Sequence, residues 1–258
     1  MKFNRNLLIL TTVFFACVSC NRYQNISYFQ DLAETGKPVL IKTVPFTEPV
    51  IQPDDILSVT IQTIDPDANV ILNRTGTSTT SSMAGGQPMV TGYRVDKSGN
   101  ISLPFINTIH LAGLTTAQAR EVINQEISKY YKEPSVDVRF ANFKVTVLGE
   151  VLHPSTYVVP NEKITVFDAL GLAGDMTVFG KRQSVLLMRD TLGEKQLVRL
   201  DLTSKNIISS PYFYLKQNDV VYVEPDKSKS VALEANRTRT IAILGTLLSI
   251  TLILIRRL

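Results

Sequence analysis

Residues 93–138 read YRVDKSGNISLPFINTIHLAGLTTAQAREVINQEISKYYKEPSVDV, and the succession of patterns inside them decides the fold. Tyr93 and Val95 alternate about a polar position, Asp96 to Asn100 has turn composition, and Ile101 and Leu103 alternate again before Pro104. After Ile109 to Leu111, the run Thr115-Thr116-Ala117-Gln118 has the form of a capping box. The Thr115 hydroxyl and the Gln118 amide each satisfy a backbone N–H at a helix start, with Leu114 and Ala119 at the staple positions. Ala119, Ile123, Ile127 and Tyr130 then recur at steps of four, four and three, which predicts one buried helical face. Pro134 forbids continuation, and Val136 and Val138 open a strand.

Upstream, Ile56, Val59, Ile61 and Ile64 predict a strand of imperfect alternation behind the turn residues Pro53, Asp54 and Asp55. The pattern breaks from Asp65 to Gly92, where Thr75 to Ser82 is made of Gly, Ser and Thr and is followed by Gly85 and Gly86. Such a composition buries too little apolar surface to order itself. A mobile insertion over about 66–92 between two strands of one sheet is therefore expected, a glycan-contacting loop being the alternative. Downstream, Lys144 to Leu148 and Thr156 to Val159 read as strands across a turn at His153-Pro154-Ser155. Thr165 caps a short helix with Val166, Leu170 and Ala173 on one face, and Gly174 stands where a left-handed cap is required. Ser184 to Arg189, Gln196 to Asp201 and Val220 to Val223 supply three more strands, with Gly193 in the hairpin. Small sheets that each carry a helix make an α+β chain of two modules, 50–142 and 143–226.

The ends have a different character. Lys2 and Arg5 precede an apolar run from Leu7 to Val18 that stops at Ser19-Cys20, the pattern of a bacterial lipoprotein signal over 1–19 with Cys20 as the acylated residue. Cys17 stands where Leu is usual, so an ordinary signal peptide or an uncleaved anchor is the alternative. Residues 20–49 are polar, with scattered aromatics and Pro38, Pro45 and Pro49, and read as a tether lying along neighbouring surfaces. Within 237–258, Ile241 to Ile255 is uncharged and bracketed by Arg237, Arg239, Arg256 and Arg257. At ~1.5 Å per residue it covers about 23 Å, a short transmembrane helix that snorkelling arginines can complete. Ala242, Gly245, Thr246 and Ser249 form a small-residue stripe suited to helix packing or to a pore wall, against the plainer reading of a single-pass anchor.

Composition narrows the chemistry. The 258 residues carry 27 Lys+Arg against 23 Asp+Glu, a net charge of +4 that is no nucleic-acid-sized surface. Cys17 and Cys20 are the only thiols, so the body of the chain has no disulfide framework, cysteine zinc site or cysteine nucleophile. His110 and His153 sit beside a strand and in a turn, positions for packing or surface residues rather than ligands. With no phosphate loop or nucleophile elbow, neither a cofactor nor catalysis is called for.

The residues also carry a resemblance. Ile51-Gln-Pro53-Asp-Asp55, Tyr93-Arg-Val95, Gly99-Asn-Ile101, Leu103-Pro104 and Leu111-Ala-Gly113-Leu-Thr115 are similar to the polysaccharide export domain of Wza-type outer-membrane exporters. Gly149-Glu-Val151, Pro154-Ser-Thr-Tyr157, Thr165 to Leu170 and Ala173-Gly174 resemble a soluble-ligand-binding β-grasp (SLBB) module. Ser98, Asn107, Ser155 and Asp175 depart from the Asp or Gly usual at those positions. The resemblance implies a lipid-anchored outer-membrane protein with a periplasmic body and a homo-oligomeric ring of about eight copies. It further implies that capsular or exopolysaccharide threads the axis, fed by an inner-membrane copolymerase. A tethered periplasmic glycan-binding or scaffold lipoprotein is the second reading, and an enzyme acting on surface glycan the third.

Overall fold

The computed structural model describes residues 26–33, 36–73, 90–104, 106–191, 193–230 and 234. In the first module, strand β1 (Ile56–Gln62) runs antiparallel between β2 (Tyr93–Arg94) and β5 (Ser135–Phe140), and β3 (Asn100–Leu103) pairs with β4 (Ile106–His110) in a hairpin. Alternation in β1 is regular once counted from Leu57: Leu57, Val59 and Ile61 are buried, whereas Ile64 lies beyond the strand and is 73% exposed. Helix α1 (Pro66–Leu72) corrects the expected insertion, because order continues past Asp65. Asp65 caps it by accepting from the Asp67 amide at 2.9 Å, proline occupies the first turn, and Ala68 and Leu72 are buried. Two carboxamides fix the helix to the strand. Asn73 accepts from the Ile61 amide at 2.8 Å and donates to its carbonyl at 2.6 Å, and Asn69 repeats the arrangement with Thr63. Residues 74–89, which hold the Gly/Ser/Thr tract, lie outside the described residues.

Helix α2 (Thr116–Ile127) begins with the capping box read from the sequence, both of its hydrogen bonds being present. Ala119, Ile123 and Ile127 are fully buried. Tyr130 is not part of that face: the helix is capped at Ser128, and the tyrosine falls past the last turn at 67% exposure.

The second module is a five-stranded sheet with a helix. It comprises β6 (Lys144–Gly149), β7 (Ser155–Val158), α3 (Val166–Leu172), β8 (Gly180–Thr191), β9 (Glu194–Leu200), a 3₁₀ turn (Lys205–Ser209) and β10 (Val220–Pro225). The spatial order is β7-β6-β10-β8-β9, and β10 enters parallel to β6 and antiparallel to β8. The last strand thereby closes the sheet on the first. Val145, Val147, Val185, Leu187, Val221 and Val223 are buried on one face, where α3 contributes Val166, Ala169, Leu170 and Ala173. Each of these valine and leucine side chains stabilises the module by roughly 1.5–3 kcal/mol.

The modules meet without a break in the core. Phe140 and Phe143 stack edge-on at 6.3 Å across the junction, and one cluster of buried apolar residues includes both modules. Among the described residues no helix is long and apolar enough to cross a membrane; Cys20 and the 237–258 stripe lie outside them.

Two glycines with positive φ separate backbone strain from crowding. At Gly149 (φ +92) a Cβ would stand 2.0 Å from the Val223 carbonyl oxygen, while at Gly113 (φ +83) it would meet nothing. Gly113→Ala is expected to cost about 1 kcal/mol, and Gly149→Ala more than ~3 kcal/mol or the fold itself. Urea unfolding of the purified chain checks the difference, and equal losses would refute it.

Candidate functional site

The residues of the sequence motifs gather at two places. In the first module the Gly99 carbonyl (φ +82) accepts from the Leu111 and Ala112 amides at 2.9 and 3.0 Å. Gly113 donates to the Ile51 carbonyl at 2.9 Å, Ile51 donates to Leu114 at 2.9 Å, and Val50 bridges to Thr115. Tyr93 is buried in β2, and Pro104 stands between the hairpin strands. In the second module the turn after Gly149 folds onto the end of α3. Leu152 donates to Asp175 at 3.0 Å and His153 to Ala173 at 2.8 Å, while the Tyr157 hydroxyl donates to the His153 carbonyl beside Pro154. Gly174 (φ +76) leaves room for Leu152, whose Cβ would lie 3.0 Å from an added methyl. Apart from Tyr93, Gly149 and Tyr157, which lie in β2, β6 and β7, these are turn, hairpin and cap positions. The His110 ring is hydrogen-bonded to the Asn100 carboxamide at 3.0 Å and lies against Gly99, and among the described residues no group of three His, Cys, Asp or Glu is placed to hold a metal.

The N-terminal segment, read from the sequence as a tether lying along neighbouring surfaces, forms a clasp on the second module whose partners the sequence did not indicate. Phe29 and Gln30 donate to the Leu202 and Thr203 carbonyls at 3.3 and 2.7 Å. Tyr28 and Phe29 pack on Phe167 of α3 with centroids at 5.4 and 5.1 Å, and the contacts continue through Phe213 and Tyr214 to Phe46. Lys163 sits 5.6 Å over Phe46 and 5.2 Å over Tyr214. The Asp31 carboxylate accepts from the Ser204 hydroxyl at 2.9 Å and the Lys205 amide at 2.8 Å; these bonds outweigh its partial desolvation and hold its pKa below the ordinary aspartate range. The Tyr28 hydroxyl donates to Asp175, and burial followed by that carboxylate pushes the phenol well above its usual range. Asp175 stands where a second glycine is usual in the resembled motif, and it does take the left-handed backbone (φ 72), its carboxylate also accepting from the Met176 amide at 2.6 Å. The only sequence signal was an aromatic pair in a polar stretch.

Beneath the clasp two arginines are buried. Arg182, 4% exposed, donates to the carbonyls of Met176, Thr177 and Gly180 at 3.2 Å each and lies 5.4 Å from the Tyr28 ring. Arg189 meets Asp219 through two nitrogens, Nε at 3.0 Å and Nη2 at 2.7 Å. The same aspartate accepts from the Lys216 amide at 2.7 Å, and Arg189 donates to the Tyr214 carbonyl at 3.1 Å. At the seam, Gln217 donates to Asp55 at 2.8 Å and Thr116 to Glu162 at 3.1 Å, each acid serving the opposite module. Burial raises both carboxyls, Asp54 adding to the effect at Asp55 and Glu48 at Glu162, with Arg139 opposing the latter.

This arrangement holds two modules and a strap together and, among the described residues, places no nucleophile and base around a cavity. Comparison with known proteins accords with it. Residues 45–141 match the family model described as polysaccharide biosynthesis/export protein, and residues 144–199 match the SLBB domain. The chain is similar to the EPS I polysaccharide export outer membrane protein EpsA of Ralstonia nicotianae, 29% identical over 223 residues, or 82% of this chain and 55% of that protein. It is 30% identical over 163 residues to the protein of the same name from Ralstonia solanacearum, 62% of this chain and 43% of the relative. A shorter likeness, 35% over 89 residues (33% and 21% of the two chains), joins it to the exopolysaccharide production protein ExoF of Rhizobium meliloti. The chain thus spans about half the length of the two EpsA proteins.

Two substitutions test the electrostatics. Asp219→Ala leaves a buried guanidinium without its carboxylate and is expected to cost ~3–5 kcal/mol in urea unfolding. An acid whose folded pKa is raised contributes stability that is full below its unfolded pKa and is lost as pH rises through the folded value. Glu162→Gln keeps the acceptor for Thr116, so it should raise the melting midpoint by roughly 2 °C at neutral pH and leave it unchanged in acid. A lowered midpoint at neutral pH would mean that the Thr116 hydrogen bond to the carboxylate, with Arg139, outweighs burial.

Proposed function

Because an export domain and an SLBB domain follow one another in it, the chain belongs to the polysaccharide export protein family, and on that premise we propose that it is a subunit of an outer-membrane conduit for capsular or exopolysaccharide. The observation that carries this reading is the likeness to an outer-membrane export protein over 82% of the chain. In it, identical copies close into a ring, the polymer passes along the axis without a bond being made or broken, and an inner-membrane copolymerase delivers it. A conduit needs a closed wall, a polar lumen and a lipid-compatible end, and no reactive group.

The geometry supports the membrane side of the reading. The segment from Ser27 to Asp31 is fastened to the second module, and the chain leaves that same module through β10 and the helical turn from Lys227. An acyl group on Cys20 and a helix over 237–258 would therefore act on the same module. That module would face the outer membrane, with the first module deeper in the periplasm. Gly245 in the stripe with Ala242, Thr246 and Ser249 would let neighbouring helices approach.

Deletion of Thr238 to Leu258 in the native host is expected to abolish surface polysaccharide while leaving both modules folded. Electron micrographs of the detergent-extracted full chain are expected to show rings. Normal surface polysaccharide after the deletion, or solitary particles in the micrographs, would refute the conduit.

A further inference from the structure

The N-terminal strap and the segment that leaves β10 are fastened to one short loop, residues 175–180, which runs from the end of α3 into β8. On the incoming side the Tyr28 hydroxyl donates to Asp175. On the outgoing side the Asp226 amide donates to the Phe179 carbonyl at 2.6 Å, and the Asp226 carboxylate accepts from the Ser228 amide at 2.8 Å at the start of the helical turn. Lys229 in that turn donates to one oxygen of the Glu150 carboxylate, and the other accepts from the Thr177 hydroxyl at 2.9 Å. The Thr177 amide also donates to the Glu150 carbonyl at 2.9 Å. The bond from Lys229 outweighs desolvation and holds the Glu150 carboxyl below its usual range.

Arg182 sets the shape of this loop from within. Its guanidinium reaches the carbonyls of Met176, Thr177 and Gly180, while its Nε, also buried, has no partner among the described residues. A cation withdrawn from water depends on every acceptor it has, so the loop cannot shift without a cost to Arg182. The strap supplies part of the same surroundings, because the Tyr28 ring covers the guanidinium at 5.4 Å. Space is equally short. A Cβ at Gly180 would stand 2.9 Å from the Met176 Cε, 3.1 Å from the Glu150 carbonyl oxygen and 3.1 Å from the Val223 Cγ1, so the loop, the end of β6 and β10 meet there without free volume.

We propose that Arg182 is a positioning residue that couples the strap to the exit of the chain from β10: docking of Tyr28 fixes residues 175–180 in the form that seats Glu150 and Lys229, and withdrawal of the strap loosens that seat. The element with two states is the strap, docked or withdrawn, and linkage makes the effect reciprocal, so that loss of the Lys229 contact loosens the strap in turn. A pull on the N-terminal segment thereby alters the footing of the segment that leads toward 237–258. The inference stands on these contacts and goes beyond the conduit reading without depending on it.

Hydrogen exchange of the full-length protein in detergent, read by mass spectrometry at residues 26–33 and 226–230 with α2 as reference, tests it. Tyr28→Phe removes the bond to Asp175 and keeps the ring over Arg182; it is expected to raise exchange about tenfold at 226–230 as well as at 26–33, with α2 unchanged. Lys229→Gln is expected to raise exchange at 26–33 by a similar factor. Arg182→Lys keeps the charge but presents its donors from one point at the end of a shorter stem, and in that background each substitution should act on its own side alone. Effects confined to the side of each substitution in the otherwise unaltered chain would overturn the proposal, and this comparison holds even where Arg182→Lys does not fold. Transmission that persists in Arg182→Lys would overturn the role of the arginine. A rise that extends to α2 would show general loosening in place of coupling and would overturn it as well.

Discussion

The buried pairing of Arg189 with Asp219 is the interaction on which the second module depends. Ionic groups removed from water are costly unless every hydrogen-bonding position is used. Here the guanidinium takes two bonds to Asp219 and one to the Tyr214 carbonyl, and the carboxylate also receives the Lys216 amide. The pair thereby sets the path of residues 212–219, the segment that delivers the chain into β10 between β6 and β8. The same segment presents Phe213 and Tyr214, on which the N-terminal aromatic contacts converge, and Gln217, which reaches Asp55 in the first module. The sheet's last strand, the Phe46 end of the strap and the Gln217–Asp55 contact of the seam thus all adjoin the segment this pair holds.

Much of the fold was legible because it is written locally. The Thr115 capping box, the Thr165 cap, the face made by Ala119, Ile123 and Ile127, and the left-handed stop at Gly174 are short-range signals, and each is present. The errors came where side-chain bonds and caps a few residues away overrode the apolar pattern. The break after Asp65 hides a helix, because Asn69 and Asn73 find β1 only once the chain has turned back on itself. Tyr130 continues the helical period but lies past the Ser128 cap.

The parts of the candidate site that were not legible are all long-range. Nothing near Tyr28 announces Asp175, which is 147 positions away, nor does Asp31 announce Lys205, 174 positions on. Arg189 and Asp219 each look like a solvated charge in their own strand or turn. The motif residues were recognisable, yet they define turns rather than chemistry, which is why the family could be read while the working surfaces could not. The loop shared by strap and exit emerges only in three dimensions, since Tyr28, Glu150, Arg182 and Lys229 come from four passages scattered along the sequence.

The strap has a mechanical consequence. Tension entering the chain at Ile26 reaches Tyr28, Phe29, Gln30 and Asp31 first, and their bonds to Asp175 and to residues 202–205 pass it into the second module. The first module is shielded from that load until these bonds shear. A pull from the amino-terminal side would therefore deform the thicker, five-stranded body first and leave the smaller three-stranded sheet at rest.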